Sequence, residues 1–269
     1  RTGIVNFDDE HTAQVLEGHT CAVETYGLNE GAGLRAVNIQ YVHEPGHIST
    51  EYDIAGEKLH IRLSLPGKFS VYNSLCAVAV TRHLDVDDEK LFANLKYFLE
   101  AIMPICDKYD INMAIHPDDP AWSVFGLPRI MINVRNLQGM MSMVDNPHNG
   151  VTFCSGSYGT NPDNDLPGMI RALKGRIHFA HVRNLQHNFP GDFEESAHLS
   201  SDGSFDMYEI MKALYDIDFT GPIRPDHGRM IWGEVAMPGY GLYDRALGAT
   251  YLNGLWEAIV KGEARHGIK

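Results

Sequence analysis

From about residue 87 onward the chain alternates helix-like and strand-like segments without a break, and this limits the folds open to it. "DDEKLFANLKYFLEAIMPICDKYD" carries Leu91, Leu95, Phe98, Leu99 and Ile102 at helical spacing, and "INMAIHPDDP" follows as a short strand. The same alternation recurs as "VRNLQGMMSMVD" and "GVTFCSGS", then "NDLPGMIRALKG" and "RIHFAHVRN", then "FDMYEIMKALYDIDF" and "GPIRPDHG". "GLYDRALGATYLNGLWEAIVKG" closes the series as a long helix. Strands separated by helices are read as a parallel sheet with helices outside it. Four such units correspond to half of a (β/α)8 barrel of the TIM type.

The first 86 residues are built differently. "GIVNFDDEH", "CAVETYGL", "RAVNIQYV", "STEYDIAG" and "EKLHIRLSL" are strand-like runs in close succession, and "YNSLCAVAVTRHL" is an apolar helix. The expected organisation is therefore an α/β segment over 1–86 joined to a (β/α) region over 87–269, with the boundary near Asp85–Asp88. No internal repeat or low-complexity tract interrupts either part.

Within the second part the strand ends carry the chemistry. In "MAIHPDDP" the apolar run stops at His116 because proline lacks the N–H of a ladder and restricts the residue before it. The next three strands end on Cys154, His181 and Asp226. The C-terminal strand ends of parallel α/β folds form their active face. Two imidazoles, a thiolate and a carboxylate there could bind Mn²⁺, Fe²⁺, Co²⁺ or Zn²⁺. Any one of them, alone, is more often a packed core residue; their equivalent positions favour a site. Polar residues lie just beyond: Asp118 and Asp119, Ser155 and Ser157, Arg183 and Asn184, His227 and Arg229. The aspartates also suit loop capping beside proline. Arg183 could meet a carboxylate-bearing substrate. Arg224, two residues before Asp226, is either a substrate clamp or a brace for that aspartate.

The formal net charge of -13 opposes partnership with nucleic acid or an anionic membrane surface, but leaves an anionic small molecule open. Four cysteines without a CxxC pair point to a reducing cytoplasm. No signal-peptide pattern opens the chain, and no run approaches the roughly 20 apolar residues of a membrane span.

Residues 87–269 resemble mannonate dehydratase in long, ordered stretches: "MAIHPDDPAWSVFGLPRI", "GVTFCSGSYGTNPDNDLPGMI", "RIHFAHVRN", "FEESAHLSSDGSFDMYEIMKAL", "IRPDHG" and "PGYGLYDRALGATYLNGL". The resemblance implies dehydration of the sugar acid D-mannonate to 2-keto-3-deoxy-D-gluconate in hexuronate breakdown, usually with Mn²⁺ or Fe²⁺. Its metal ligands fall on His116, Cys154, His181 and Asp226. Its proton-transfer residues fall on His227 and on Tyr240 in "MPGYG", and His198 in "SAHL" falls near substrate. A histidine suits either acid or base work near neutral pH, and a tyrosine can donate to a departing hydroxyl; the sequence leaves the division between His227 and Tyr240 open. Arg183, Asn184, His198, Arg224 and Asp118 are the expected substrate contacts.

That family's barrel needs eight strands, and the matching region supplies four. Residues 1–86 instead resemble the Mur ligases through "IVNFDDEHTAQVLEG", "TYGLNEGAGLRAVNI" and "IRLSLPGKFSVYNSLCAVAV", a likeness that implies Asn73 lies near a nucleotide. The phosphate-binding G-x-x-x-x-G-K-[ST] loop is missing, and Asn73 reads equally as a helix-start residue. The chain thus reads as a chimera, an engineered fusion of fragments or a misjoined reading frame. Its open half barrel could be completed by strands from residues 1–86 or by a homodimer pairing two halves. The rival functional readings are a scaffold that keeps the metal without turnover and a metal-dependent sugar isomerase or epimerase.

Overall fold

The computed structural model describes residues 2–44, 47–63, 66–83, 87–124, 127–237 and 239–266. The chain divides into two compact units, Arg1–Val86 with Phe125–Leu127, and Asp87–Val124 with Pro128–Lys269. The boundary expected near Asp85–Asp88 falls partly on residues outside the described set.

In the first unit, strands β1 (Thr2–Asn6), β2 (Ala22–Gly27), β3 (Leu34–Glu44), β4 (His47–Ile54) and β5 (His60–Leu63) form one sheet in sequence order. The β1–β2 and β2–β3 pairs are parallel, and β3–β4 and β4–β5 are antiparallel. A single turn, α1 (Thr12–Val15), follows β1. Helix α2 (Lys68–His83) buries Val71, Leu75 and Ala79 in a small core with Leu34, Ala36, Tyr52 and Ile54. Asn73 lies within this helix rather than at its start. Asp8 organises the β1 end: it accepts from Leu28 N at 2.6 Å and from the Tyr72 hydroxyl at 2.8 Å. Burial opposes ionisation of Asp8, but these donors together with Lys68 hold its carboxyl below the usual value.

The second unit follows the alternating pattern. Helix α3 (Asp88–Tyr109) begins where the Asp87 carboxylate accepts from Lys90 N at 2.8 Å, and ends at Asp110 in the left-handed region. Then come β6 (Met113–Ile115), α4 (Val134–Met143), β7 (Asn149–Cys154), α5 (Ser155–Gly159), α6 (Leu166–Ala172) and β8 (Ile177–His181). A hairpin of β9 (Leu185–Phe189) and β10 (Asp192–Glu195), then α7 (Met207–Asp216), β11 (Ile223–Arg224) and α8 (Leu242–His266) complete it. The sheet order is β11-β8-β7-β6, parallel at each pairing. Strand β7 is buried along its whole length, as a central parallel strand covered on both faces should be. Val151, Phe153 and Ala180 join Leu137, Met140, Ile170, Met211 and Leu214 in the larger core. No helix among the described residues is long and apolar enough to cross a membrane.

Candidate metal centre

The parallel register brings three strand ends together. Cys154 pairs with His181 across β7–β8, and His181 pairs with Arg224 across β8–β11. His116 immediately follows β6. One donor atom from each of His116, Cys154 and His181 lies within 4.8 Å of the other two, and among the described residues these three form the group able to hold a metal ion. Three donors bonded to a common ion at about 2.0–2.3 Å stand roughly 3–4 Å apart, so an ion bound here would draw the three together. The rings of His116 and His181 have centroids 5.2 Å apart. His116 Nδ1 donates to its neighbour's carbonyl, Pro117 O, at 2.9 Å, which leaves Nε2 with its lone pair free. His181 Nδ1 is buried without a hydrogen-bond partner among the described residues. Two imidazoles and a thiol with unspent donor capacity fit a divalent transition metal.

Asp226, the fourth expected ligand, stands beside this group. Its Oδ1 is 3.3 Å from His181 Nδ1, and its Oδ2 is 3.6 Å from Cys154 Sγ and 2.9 Å from Arg183 Nε. The residue is 5% exposed, with φ +59°, a left-handed conformation that aspartate tolerates better than most residues. Burial disfavours its anion, but His181, His227, Arg183 and Arg224 outweigh that and keep the carboxyl below its ordinary range. The sulfur of Cys154 also receives polar hydrogens, from Ser157 N at 3.4 Å and Ser157 Oγ at 3.1 Å.

Arg183 is the hub of the centre. Its side chain is 2% exposed and faces three carboxylates: Asp119 at 2.7 Å, Asp226 at 2.9 Å, and Glu195 in a short contact. Gly156 makes this possible, because a Cβ there would lie 2.2 Å from Arg183 Nε. Its charge is met inside the protein by these three carboxylates. Asn184 and His198 also find partners within the protein. Asn184 is fully buried, donating to Leu199 O and accepting from Leu185 N and Phe205 N. His198, 4% exposed, meets Pro225 O through Nε2 at 2.6 Å and so braces the residue before Asp226. Asp118 accepts from Ile130 N and Met131 N at 3.1 and 2.9 Å, which supports the loop-capping alternative. Arg224 differs. It is one-third exposed, 3.8 Å from Asp226 Oδ1, and its Nε lacks a hydrogen-bond partner among the described residues.

His227 and Tyr240 come together through backbone. Gly228 N donates to Gly239 O and Gly241 N to Gly228 O, both at 3.0 Å, so the two loops zip side by side. The two rings then lie 6.3 Å apart between centroids, and each remains partly open to solvent. Asp244, at the start of α8, fixes the same loop by accepting from Arg229 N and Nε at 2.8 and 2.9 Å. Two contributors went unread in the sequence. Glu195 comes from the β9–β10 hairpin, which sequence pattern did not reveal, and accepts from His227 Nδ1 at 2.8 Å. Gly156 carries no chemistry, so only the packing exposes its role.

The fold and site thus define a mixed α/β protein whose parallel strand ends gather two histidines and a cysteine that could hold a metal ion, next to a buried arginine–carboxylate network. The sequence profile of the family described as D-mannonate dehydratase (UxuA) matches residues 35–266, and the chain belongs to that family. The mannonate dehydratase of Brachyspira hyodysenteriae is 70% identical over 176 residues, 65% of this chain and 50% of the relative. Mannonate dehydratase 2 of Halalkalibacterium halodurans is 53% identical over 221 residues, 81% of this chain and 63% of the relative. The crystal structure of mannonate dehydratase from Streptococcus suis serotype 2 is 36% identical with a TM-score of 0.66, covering 90% of this chain and 66% of that one. The chain thus spans about half to just under two thirds of the length of these curated relatives. The Mur-ligase resemblance of residues 1–86 has a weak and partial structural neighbour, with a TM-score of 0.26, which carries no argument.

Proposed function

We propose that this chain is a metal-dependent hydro-lyase that converts D-mannonate to 2-keto-3-deoxy-D-gluconate, with Mn²⁺ or Fe²⁺ as the cation. The observation that carries the proposal is the His116–Cys154–His181 group at the ends of β6, β7 and β8. Those three residues, with Asp226, would hold the ion. Bound there, it would supply Lewis-acid stabilisation of the negative charge that develops next to the substrate carboxylate.

The protein's own residues do the rest. Dehydration breaks the C2–H and C3–O bonds and releases water; the resulting enol becomes the 2-keto product by moving a proton to C3. One group must accept the C2 proton, and one must protonate the leaving hydroxyl. His227 and Tyr240, adjacent and partly open, take these two roles between them. Arg224, with an uncommitted edge, meets the substrate carboxylate. Arg183 holds Asp119, Glu195 and Asp226 in place through its ion pairs.

In this reading β6, β7, β8 and β11 are half of an eight-stranded (β/α) barrel, 87–269 is the catalytic region and 1–86 a separate domain. The protein works in the cytoplasm. A homodimer pairing two half barrels is the form that completes the barrel. A second reading is a scaffold that keeps the metal without turnover. The deciding experiment measures metal content and D-mannonate turnover on one purified sample, wild type beside His116→Ala. The proposal expects about one metal per chain and a keto-deoxy acid from the wild type, with both lost in the variant. Metal without product selects the scaffold, and a product of unchanged mass selects an isomerase or epimerase.

A further inference from the structure

We propose that Glu195 is a positioning residue that sets the tautomer of His227, holding the proton on Nδ1 so that Nε2 presents its lone pair to the open side of the site. The inference deepens the proton-transfer reading of His227 and rests on it for its functional consequence. The geometry stands independently of that reading. Glu195 is the last residue of β10 and lies opposite Leu185 in the hairpin register, so its backbone is fixed by strand pairing. Its Oε1 accepts from His227 Nδ1 at 2.8 Å and also meets Arg183 Nη1. Arg183 is 2% exposed and its Nη1 donates to the same Oε1, so that oxygen serves as acceptor in both contacts. A neutral imidazole has one N–H, and the hydrogen bond made by one nitrogen decides what the other can do. With Nδ1–H spent on Glu195, Nε2 is the nitrogen able to accept a substrate proton. Arg183 therefore links the two halves of the site: its Nε side reaches Asp226 and its Nη1 side reaches Glu195.

The test reads the tautomer directly by long-range ¹H–¹⁵N correlation on metal-free, ¹⁵N-labelled full chain. It is run at alkaline pH, with the neutral state of the ring verified from its own ¹⁵N shifts. His227 is assigned by the signal absent from His227→Gln. The proposal expects an Nδ1–H tautomer in wild type, the same tautomer in Glu195→Gln, whose amide oxygen still accepts, and a shift toward Nε2–H in Glu195→Ala. An Nε2–H wild type, or an unchanged tautomer in Glu195→Ala, overturns it. If Glu195→Ala does not fold, the wild-type tautomer alone decides. In turnover, Glu195→Ala is expected to lower kcat about 10-fold or more with KM within about twofold, and Glu195→Gln to recover most of that. Tautomers as expected with no turnover by wild type would sustain the role of Glu195 while removing the proton-transfer reading of His227.

Discussion

Replacing Gly156 with alanine tests whether the centre depends on the Arg183 hub. The added Cβ would lie 2.2 Å from Arg183 Nε, 2.3 Å from Cζ and 2.7 Å from Cγ. An ordinary contact is about 3.5 Å, so the guanidinium must retreat by more than ~1 Å. It cannot do so and keep Asp119 at 2.7 Å and Asp226 at 2.9 Å. Breaking a buried ion pair costs about 3–5 kcal/mol, because a charge is left without its partner. The lower unfolded-state entropy of alanine returns roughly 0.5–1 kcal/mol. The net loss is then about 2–4 kcal/mol. For a unit of this size, 1 kcal/mol moves Tm by about 2–4 °C, so a fall of roughly 4–16 °C is expected in a thermal melt followed by circular dichroism. Gly139→Ala, in α4, is the control, since nothing lies within 4 Å of its added Cβ. It should raise Tm by about 1–4 °C through helix propensity. If Gly156→Ala melts within a degree or two of wild type, Arg183 is not tightly held, and the account of the hub is refuted.

Three further outcomes follow from the same geometry. Cys154→Ser should abolish the thiolate-to-metal absorption of a Co²⁺-loaded sample while leaving the fold intact, and weaken metal binding by more than the ~10–100-fold that loss of an outer partner costs, read by chelator competition. Asp244 is opposed by burial but held below its usual pKa by Arg229, so its contribution to stability is present above about pH 4 and is lost as pH falls through its lower folded value. Asp244→Asn should therefore lower Tm at pH 6 and flatten its decline between pH 5 and pH 2.5 in melts taken across that range. If Arg224 meets the substrate carboxylate as proposed, Arg224→Met should raise KM for D-mannonate by about 10-fold or more while sparing metal content.

What the sequence disclosed and what it concealed separate along a physical line. Periodicity and proline placement are local properties of the chain, so the alternation after residue 87 and the stop after Ile115 at His116 could be read directly. Parallel pairing then aligns equivalent strand ends, which is why His116, Cys154 and His181 could be inferred to meet before any distance was known. The roles of Arg183, Asn184 and His198 depend on something else: which partner a polar group finds once it is buried. Sequence places Arg183 two residues past His181 but does not reveal that Asp119, Glu195 and Asp226 converge on it from three other segments. Glu195 was missed for the same reason, since its hairpin leaves no repeating signal and its function lies wholly in a contact 32 residues away along the chain. Gly156 shows the limit most plainly, because its contribution is the absence of a side chain beside a buried cation. The strand-end donors can therefore be moved to another α/β sheet by copying their spacing. The acidity, tautomers and loop positions around them require the buried network, and that network is a property of the packed unit.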